Sequence, residues 1–115
     1  MLSHQHRFHG HGSLRYVYKN GNQVRNNLMS FKYTSNKHRL HSRFAIIVSK
    51  KIYKSAVKRN RIRRRIYEII RKNLPDIKES QDVAITVFDK SVIEMPHSEL
   101  ENSLHSLLEK AGLLR

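Results

Sequence analysis

The apolar positions of the chain change period several times, and each change marks an element. Over residues 28–34, Met29, Phe31 and Tyr33 alternate with Leu28, Ser30 and Lys32. A period of two sends successive side chains to opposite faces and predicts a half-buried strand. Phe44-Ala-Ile-Ile-Val48 is instead a continuous apolar run rich in β-branched residues, the pattern of a central strand buried on both faces, and residues 83–88 form a second such run. Between these runs Ile62, Ile66, Ile69, Ile70 and Leu74 recur at steps of three and four. They mark the core stripe of a helix over residues 55–74, which Pro75 ends. At about 100° per residue, Asn60, Arg64 and Arg71 point away from that stripe, Arg61 and Tyr67 flank them, and Arg59 and Arg63 lie nearer its border.

Two more helices complete the pattern. Ser13 is placed to cap a two-turn helix with Leu14, Val17 and Tyr18 on one face, and Gly21 can end it in the left-handed conformation. Near the C-terminus, Pro96-His97-Ser98 with Glu101 reads as a capping box. The helix it opens has Leu100, Leu104, Leu107, Leu108 and Ala111 on one face and stops at Gly112. The order α-β-β-α-β-α predicts an α/β or α+β two-layer sandwich. It has a small mixed sheet, about three helices and one long basic helix in a β-α-β crossover. Residues 1–12 carry His4, His6, His9 and His11 with little apolar content and read as a flexible arm, which leaves residues 13–115 as a single domain.

Composition narrows the classes. The 115 residues suit one domain, and 38% hydrophobic residues suffice for a modest core. With no cysteine there is no disulfide framework, thiolate nucleophile or Cys-based zinc site. No apolar run approaches the roughly 18 residues of a membrane span, and the first residues hold no apolar stretch suited to a signal peptide, so a cytoplasmic protein is expected. Charge says more: 23 Lys plus Arg against 9 Asp plus Glu give +14. All nine acids lie at Glu68 or later, whereas residues 1–67 hold 17 Lys or Arg and no acid. Such a segment repels itself unless a polyanion neutralises it, which points to nucleic acid as the partner.

The charge peaks at the start of the long helix, where Lys50, Lys51, Lys54 and Lys58 precede five arginines within residues 59–65. Soluble helices usually intersperse Glu with Lys, but no carboxylate occurs here before Glu68. Planar guanidiniums bind phosphate bidentately and stack on bases, so the run favours RNA, with Asn60 adding a side chain that both donates and accepts. The segment Arg43-Phe-Ala-Ile-Ile-Val-Ser-Lys-Lys51, followed by Ala56-Val-Lys-Arg-Asn-Arg-Ile-Arg-Arg64, resembles the signature of the protein subunit of bacterial ribonuclease P. Arg59-Asn60-Arg61 matches that family's RNR motif.

The resemblance implies a small α/β sandwich whose basic helix, in a left-handed crossover, docks on a catalytic RNA that carries the chemistry. It implies RNA-subunit contacts at Lys50, Lys51, Arg59, Asn60, Arg61, Arg63 and Arg64, and no catalytic residue in the protein. It further implies a cleft for the single-stranded 5′ leader of precursor tRNA, lined by Arg7, Leu14, Tyr18, Ser30 and Lys32. Family members usually have aromatics where this chain has Leu14 and Lys32. Leu cannot stack on a base, so leader binding is expected to be weaker or more electrostatic. The family also tends to carry Gly soon after the paired lysines, where this chain has Tyr53 and one extra residue before Ala56. Mg2+ is expected with the ribonucleoprotein rather than with the protein alone.

Other readings compete for the same residues. A solvated face is the ordinary role of an Arg-rich helix, and among Arg59, Asn60, Arg61, Arg63, Arg64 and Arg65 the last has the weakest claim to RNA. Lys50, Lys51, Lys54 and Lys58 serve either solubility or long-range phosphate attraction. Tyr16 and Tyr18 either stack on bases or pack, Tyr18 being the better candidate for stacking. The His4, His6, His9 and His11 spacing fits no closed metal site. Asp82 and Asp89 stand about 23 Å apart if extended, too far for shared acid–base or two-metal work, and read as caps of strand ends. The expected function is therefore a protein cofactor of ribonuclease P with the RNA subunit and precursor tRNA as partners. The alternatives are a structural RNA-binding protein of ribosomal type and, less favoured, a nuclease acting without RNA.

Overall fold

The computed structural model describes residues 11–115. Its elements are α1 (His11–Asn20), β1 (Asn22–Arg25), β2 (Met29–Ser35), β3 (Arg43–Val48), α2 (Ala56–Asn73), β4 (Gln81–Val87) and α3 (His97–Lys110). The strands form one mixed sheet in the order β1-β2-β4-β3, antiparallel except for the parallel pair β3 and β4, which α2 connects. The register divides the side chains cleanly. Val24, Phe31, Ile85 and Ile46 stand in one row across the sheet, and Met29, Val87 and Val48 in a parallel row on the same face. This face meets Ile62, Ile66, Ile69 and Ile70 of α2 and the Leu100, Leu104, Leu107 and Leu108 stripe of α3 in one buried cluster. Each such side chain contributes roughly 1.5–3 kcal/mol on burial, so this layer holds most of the stabilising area.

The other face carries the rows Arg25–Ser30–Thr86–Ile47, Gln23–Lys32–Ala84–Ala45 and Thr34–Asp82–Arg43. Helix α1 lies across it, packing on β2 and β4 with Val17 and Ala84 buried beneath it. Among the described residues, no helix is long and apolar enough to cross a membrane.

Several local expectations change. Strand β1 is an addition: Asn22-Gln-Val-Arg25 has one apolar residue, and pairing with β2 rather than its own pattern makes it a strand. The side-chain oxygen of Asn26 accepts from the Leu28 and Met29 amides and closes the turn, while its amide donates to Ser103 of α3. Strand β3 is an edge strand, not a central one, and β4 takes the centre. The run 44–48 is apolar throughout because Phe44, Ile46 and Val48 enter the core while Ala45 and Ile47 line the opposite face, half-buried. Tyr67, placed beside the outward set by its angle, is buried against the core. The capping box does not form: Pro96 is the N-cap, Ser98 lies inside α3, and Glu101 instead faces His97 at 3.4 Å and Lys72 at 3.8 Å. Asp82 caps no strand end but lies buried in an ion pair, whereas Asp89 does cap a turn, accepting from the Ser91 amide.

At the N-terminus, α1 begins at His11, so Ser13 is inside the helix and His11 and Gly12 belong to it, while the rest of the proposed arm lies outside the described residues. The left-handed conformation expected of Gly21 does not occur there, whereas Gly112 has a positive φ. Gly21 is required for another reason: a Cβ there would stand 2.5 Å from the Val17 carbonyl oxygen and 2.9 Å from that of Tyr33. Both neighbours are backbone and cannot swing aside. Gly21→Ala should therefore cost about 1–3 kcal/mol by overpacking α1 against β2. A thermal melt checks this, and an unchanged midpoint would mean that α1 shifts freely on the sheet.

Candidate nucleic-acid interface

Two surfaces carry the residues that the sequence singles out. The first is the outer side of α2. Ser55 caps it, its hydroxyl accepting from the Lys58 amide at 3.3 Å, and the isoleucine stripe anchors the inner side. That register leaves Lys58, Asn60, Arg61 and Arg64 exposed and Arg63 half-exposed. Asn60 accepts a hydrogen bond from Arg63, which fixes both side chains on the outer face. Among the described residues, no ion pair reaches the guanidinium of Arg59, Arg61, Arg63, Arg64 or Arg65. The helix's one carboxylate, Glu68, pairs with Arg71 at 2.9 Å, and that guanidinium holds its carboxyl well below the usual range.

The arginines nevertheless divide. Arg59 donates to the carbonyls of Tyr53 at 2.7 Å and Lys54 at 2.9 Å, tying down the loop that leads into the helix. Arg65 donates to the carbonyls of Val92 at 2.8 Å and Ile93 at 3.1 Å, and also to that of Met95. It therefore serves as an internal brace for the segment before α3. Of the five arginines at 59–65, only Arg61 and Arg64 are both exposed and without an acceptor among the hydrogen bonds of the described residues. Where the family tends to have Gly, Tyr53 donates its hydroxyl to the Lys90 carbonyl, and Lys58 sits 5.7 Å from its ring centre. Burial, with Glu94 and Asp89 nearby, pushes the Tyr53 hydroxyl pKa up. Lys50 and Lys51 are exposed in the turn that follows β3.

The second surface is the sheet face beside α1. Lys32 donates to the Tyr18 carbonyl at 3.0 Å and stands 5.7 Å from its ring centre. Ser30 is two residues along β2 on the same face, and Leu14 is one helical turn before Tyr18 on α1. The structure thus brings Tyr18, Ser30 and Lys32 to one face of the sheet and places Leu14 on the helix beside it, while Arg7 lies outside the described residues. Tyr18 is 38% exposed, open enough to offer its ring to a base. At the far end, Phe88 follows Val87 onto this face by alternation, and the Arg25 guanidinium lies 5.0 Å from its ring centre. Neither residue was singled out from sequence. Phe88 ends an apolar run that reads as all core, and the signal that could have exposed it was parity with Thr86 rather than with Val87. The face opens toward the carboxyl ends of β3 and β4, where the Lys50–Lys51 turn and the start of α2 also lie.

A cationic helix face and a sheet face that carries Tyr18, Lys32 and Phe88 suit RNA binding, the helix for phosphates and the sheet face for a single strand. Among the described residues, no group of three or more His, Asp or Glu is placed to hold a metal ion. Comparison with known proteins gives the same direction. A family model described as Ribonuclease P matches residues 2–112. The chain is 33% identical over 115 residues to the ribonuclease P protein component of Pseudanabaena sp. (strain PCC 6903), covering 99% of this chain and 97% of that protein. It is 37% identical over 100 residues to that of Clostridium novyi (strain NT), covering 86% and 87%. A solved RNase P protein from Staphylococcus aureus superposes with a TM-score of 0.85 at 28% identity, covering 96% of this chain and 98% of that one. The chain belongs to the ribonuclease P protein family.

Proposed function

We propose that the chain is the RNA-binding cofactor of a ribonucleoprotein that removes the 5′ leader of precursor tRNA in the cytoplasm, with the bond broken by the RNA subunit. The outer face of α2, with Asn60, Arg61, Arg63 and Arg64, binds the RNA subunit, and Lys50 and Lys51 add attraction at its start. Arg59 contributes through the loop that it fixes as well as through its remaining donors. The cleft of Leu14, Tyr18, Ser30 and Lys32, joined by Arg25 and Phe88, retains the leader, and Arg7 is assigned there by family resemblance. The observation that carries this reading is the guanidinium face of residues 59–65, which meets no carboxylate among the described residues, in a chain of net charge +14. Placing that charge between two converging RNAs lowers their repulsion, so that less Mg2+ is needed to hold them together.

The RNA that copurifies with the chain from its native cells tests the proposal. A structured catalytic RNA together with leader-bearing tRNA precursors is the expected result. Ribosomal RNA alone would favour a structural role, and cleavage by RNA-free protein would place the chemistry in the chain itself.

A further inference from the structure

The flank of α1 turned away from the cleft carries a second pocket that neither surface above accounts for. Val17, fully buried, is where α1 meets the sheet. At about 100° per residue, its neighbours Tyr16 and Tyr18 leave the helix on opposite flanks. Tyr18 turns to Lys32, whereas Tyr16 walls an open pocket of about 600 Å3 with Thr34, Ser35, Asn36, His38 and Asp82. The Tyr16 ring is 57% exposed, a large aromatic surface left uncovered beside a ready-made recess.

The base of the recess is fixed in advance. Arg43 holds Asp82 through bonds of 2.9 and 2.8 Å, and Asn36 donates to the same carboxylate at 2.9 Å while accepting from the His38 amide at 3.2 Å. Lys37 gives the rim a cation, and Arg15, beside Tyr16 on α1, and Arg39, beside His38, are exposed. The carboxylate of the pocket, Asp82, is already engaged by Arg43. An exposed ring over a polar recess with a cationic rim is the combination that takes a base of a single strand while tracking its phosphates.

We propose that Tyr16 and this pocket form a second stacking site for the leader, which takes an unpaired base after the strand has passed Tyr18 and crossed α1. The two tyrosines are separated by about 3 Å along the helix axis and by the width of the helix, about 10–12 Å, across it, and the strand has to span that width. The site tolerates any base, because stacking uses the π-face that all bases share. This inference rests on the leader-binding reading of the cleft.

The test measures affinity of the reconstituted holoenzyme for precursors with leaders of increasing length. Tyr16→Ala should weaken binding about tenfold for long leaders and leave the shortest leaders and mature tRNA unchanged. Tyr16→Phe, which keeps the ring, should bind like the parent chain. Equal loss at every length and for mature tRNA overturns the second site. So does a Phe variant as weak as the Ala variant, or no loss at any length while Tyr18→Ala still weakens leader-bearing substrate. If Tyr18→Ala also leaves leader-bearing substrate unaffected, the cleft reading itself fails, and the second site with it.

Discussion

Replacing Arg61 and Arg64 together by alanine should weaken binding of the RNA subunit by about two orders of magnitude near 0.1 M salt. It should also make the slope of log affinity against log salt shallower by about two. Each phosphate neutralised by a cation contributes roughly 0.7–0.9 to that slope, and these two guanidiniums are exposed and free of backbone acceptors among the described residues. Neither side chain enters the core, so the thermal midpoint should hold. Arg65→Ala is the internal contrast: losing the brace to Val92, Ile93 and Met95 should lower stability while leaving the slope almost unchanged. Arg59→Ala should do some of both, since its bonds to Tyr53 and Lys54 order the loop before α2. A salt titration of each variant separates these cases, and an unchanged slope for the Arg61 and Arg64 double variant would deny phosphate contact by α2.

Asp82→Ala should be among the most destabilising single changes in the chain, at about 3–5 kcal/mol. The Arg43 side chain is 1% exposed and that of Asp82 4%, and two hydrogen bonds join them across β3 and β4. Removing one member leaves a desolvated charge without its counterion, which costs far more than the net worth of the pair. Against a typical domain stability of 5–15 kcal/mol, that loss should lower the melting midpoint by on the order of 15 °C. The double variant Arg43→Met with Asp82→Leu, which leaves no charge to desolvate, should recover much of it. If Asp82→Ala alone melts like the parent chain, the pair is hydrated in solution and does not fix the end of the sheet.

How much of this was legible in the sequence depended on what makes each element. The long helix and its two sides could be read because Ile62, Ile66, Ile69 and Ile70 need no tertiary context to define a stripe, and the acid-free run before Glu68 is a property of composition. The alternation through Met29, Phe31 and Tyr33 placed Ser30 and Lys32 on the face where Tyr18 meets them. Strand β1 was hidden because its polar residues become a strand only by pairing with β2. The edge place of β3 was hidden for a related reason: an edge strand whose outward Ala45 and Ile47 are half-buried looks as apolar as an interior one. Helix angle alone could not tell Arg65 from Arg64 in role, since the carbonyls that take up Arg65 come from a segment nearly thirty residues away. The Arg43 and Asp82 pair is equally non-local, and nothing in the spacing of the two residues announces it.

The most direct test is 5′ leader removal from precursor tRNA by the cognate RNA subunit at low Mg2+, measured with and without this chain. Added protein should accelerate cleavage at the mature 5′ end, and the acceleration should fall sharply for the Arg61 and Arg64 double variant. Cleavage that proceeds equally well without the chain, or acceleration that survives loss of both guanidiniums, would contradict it.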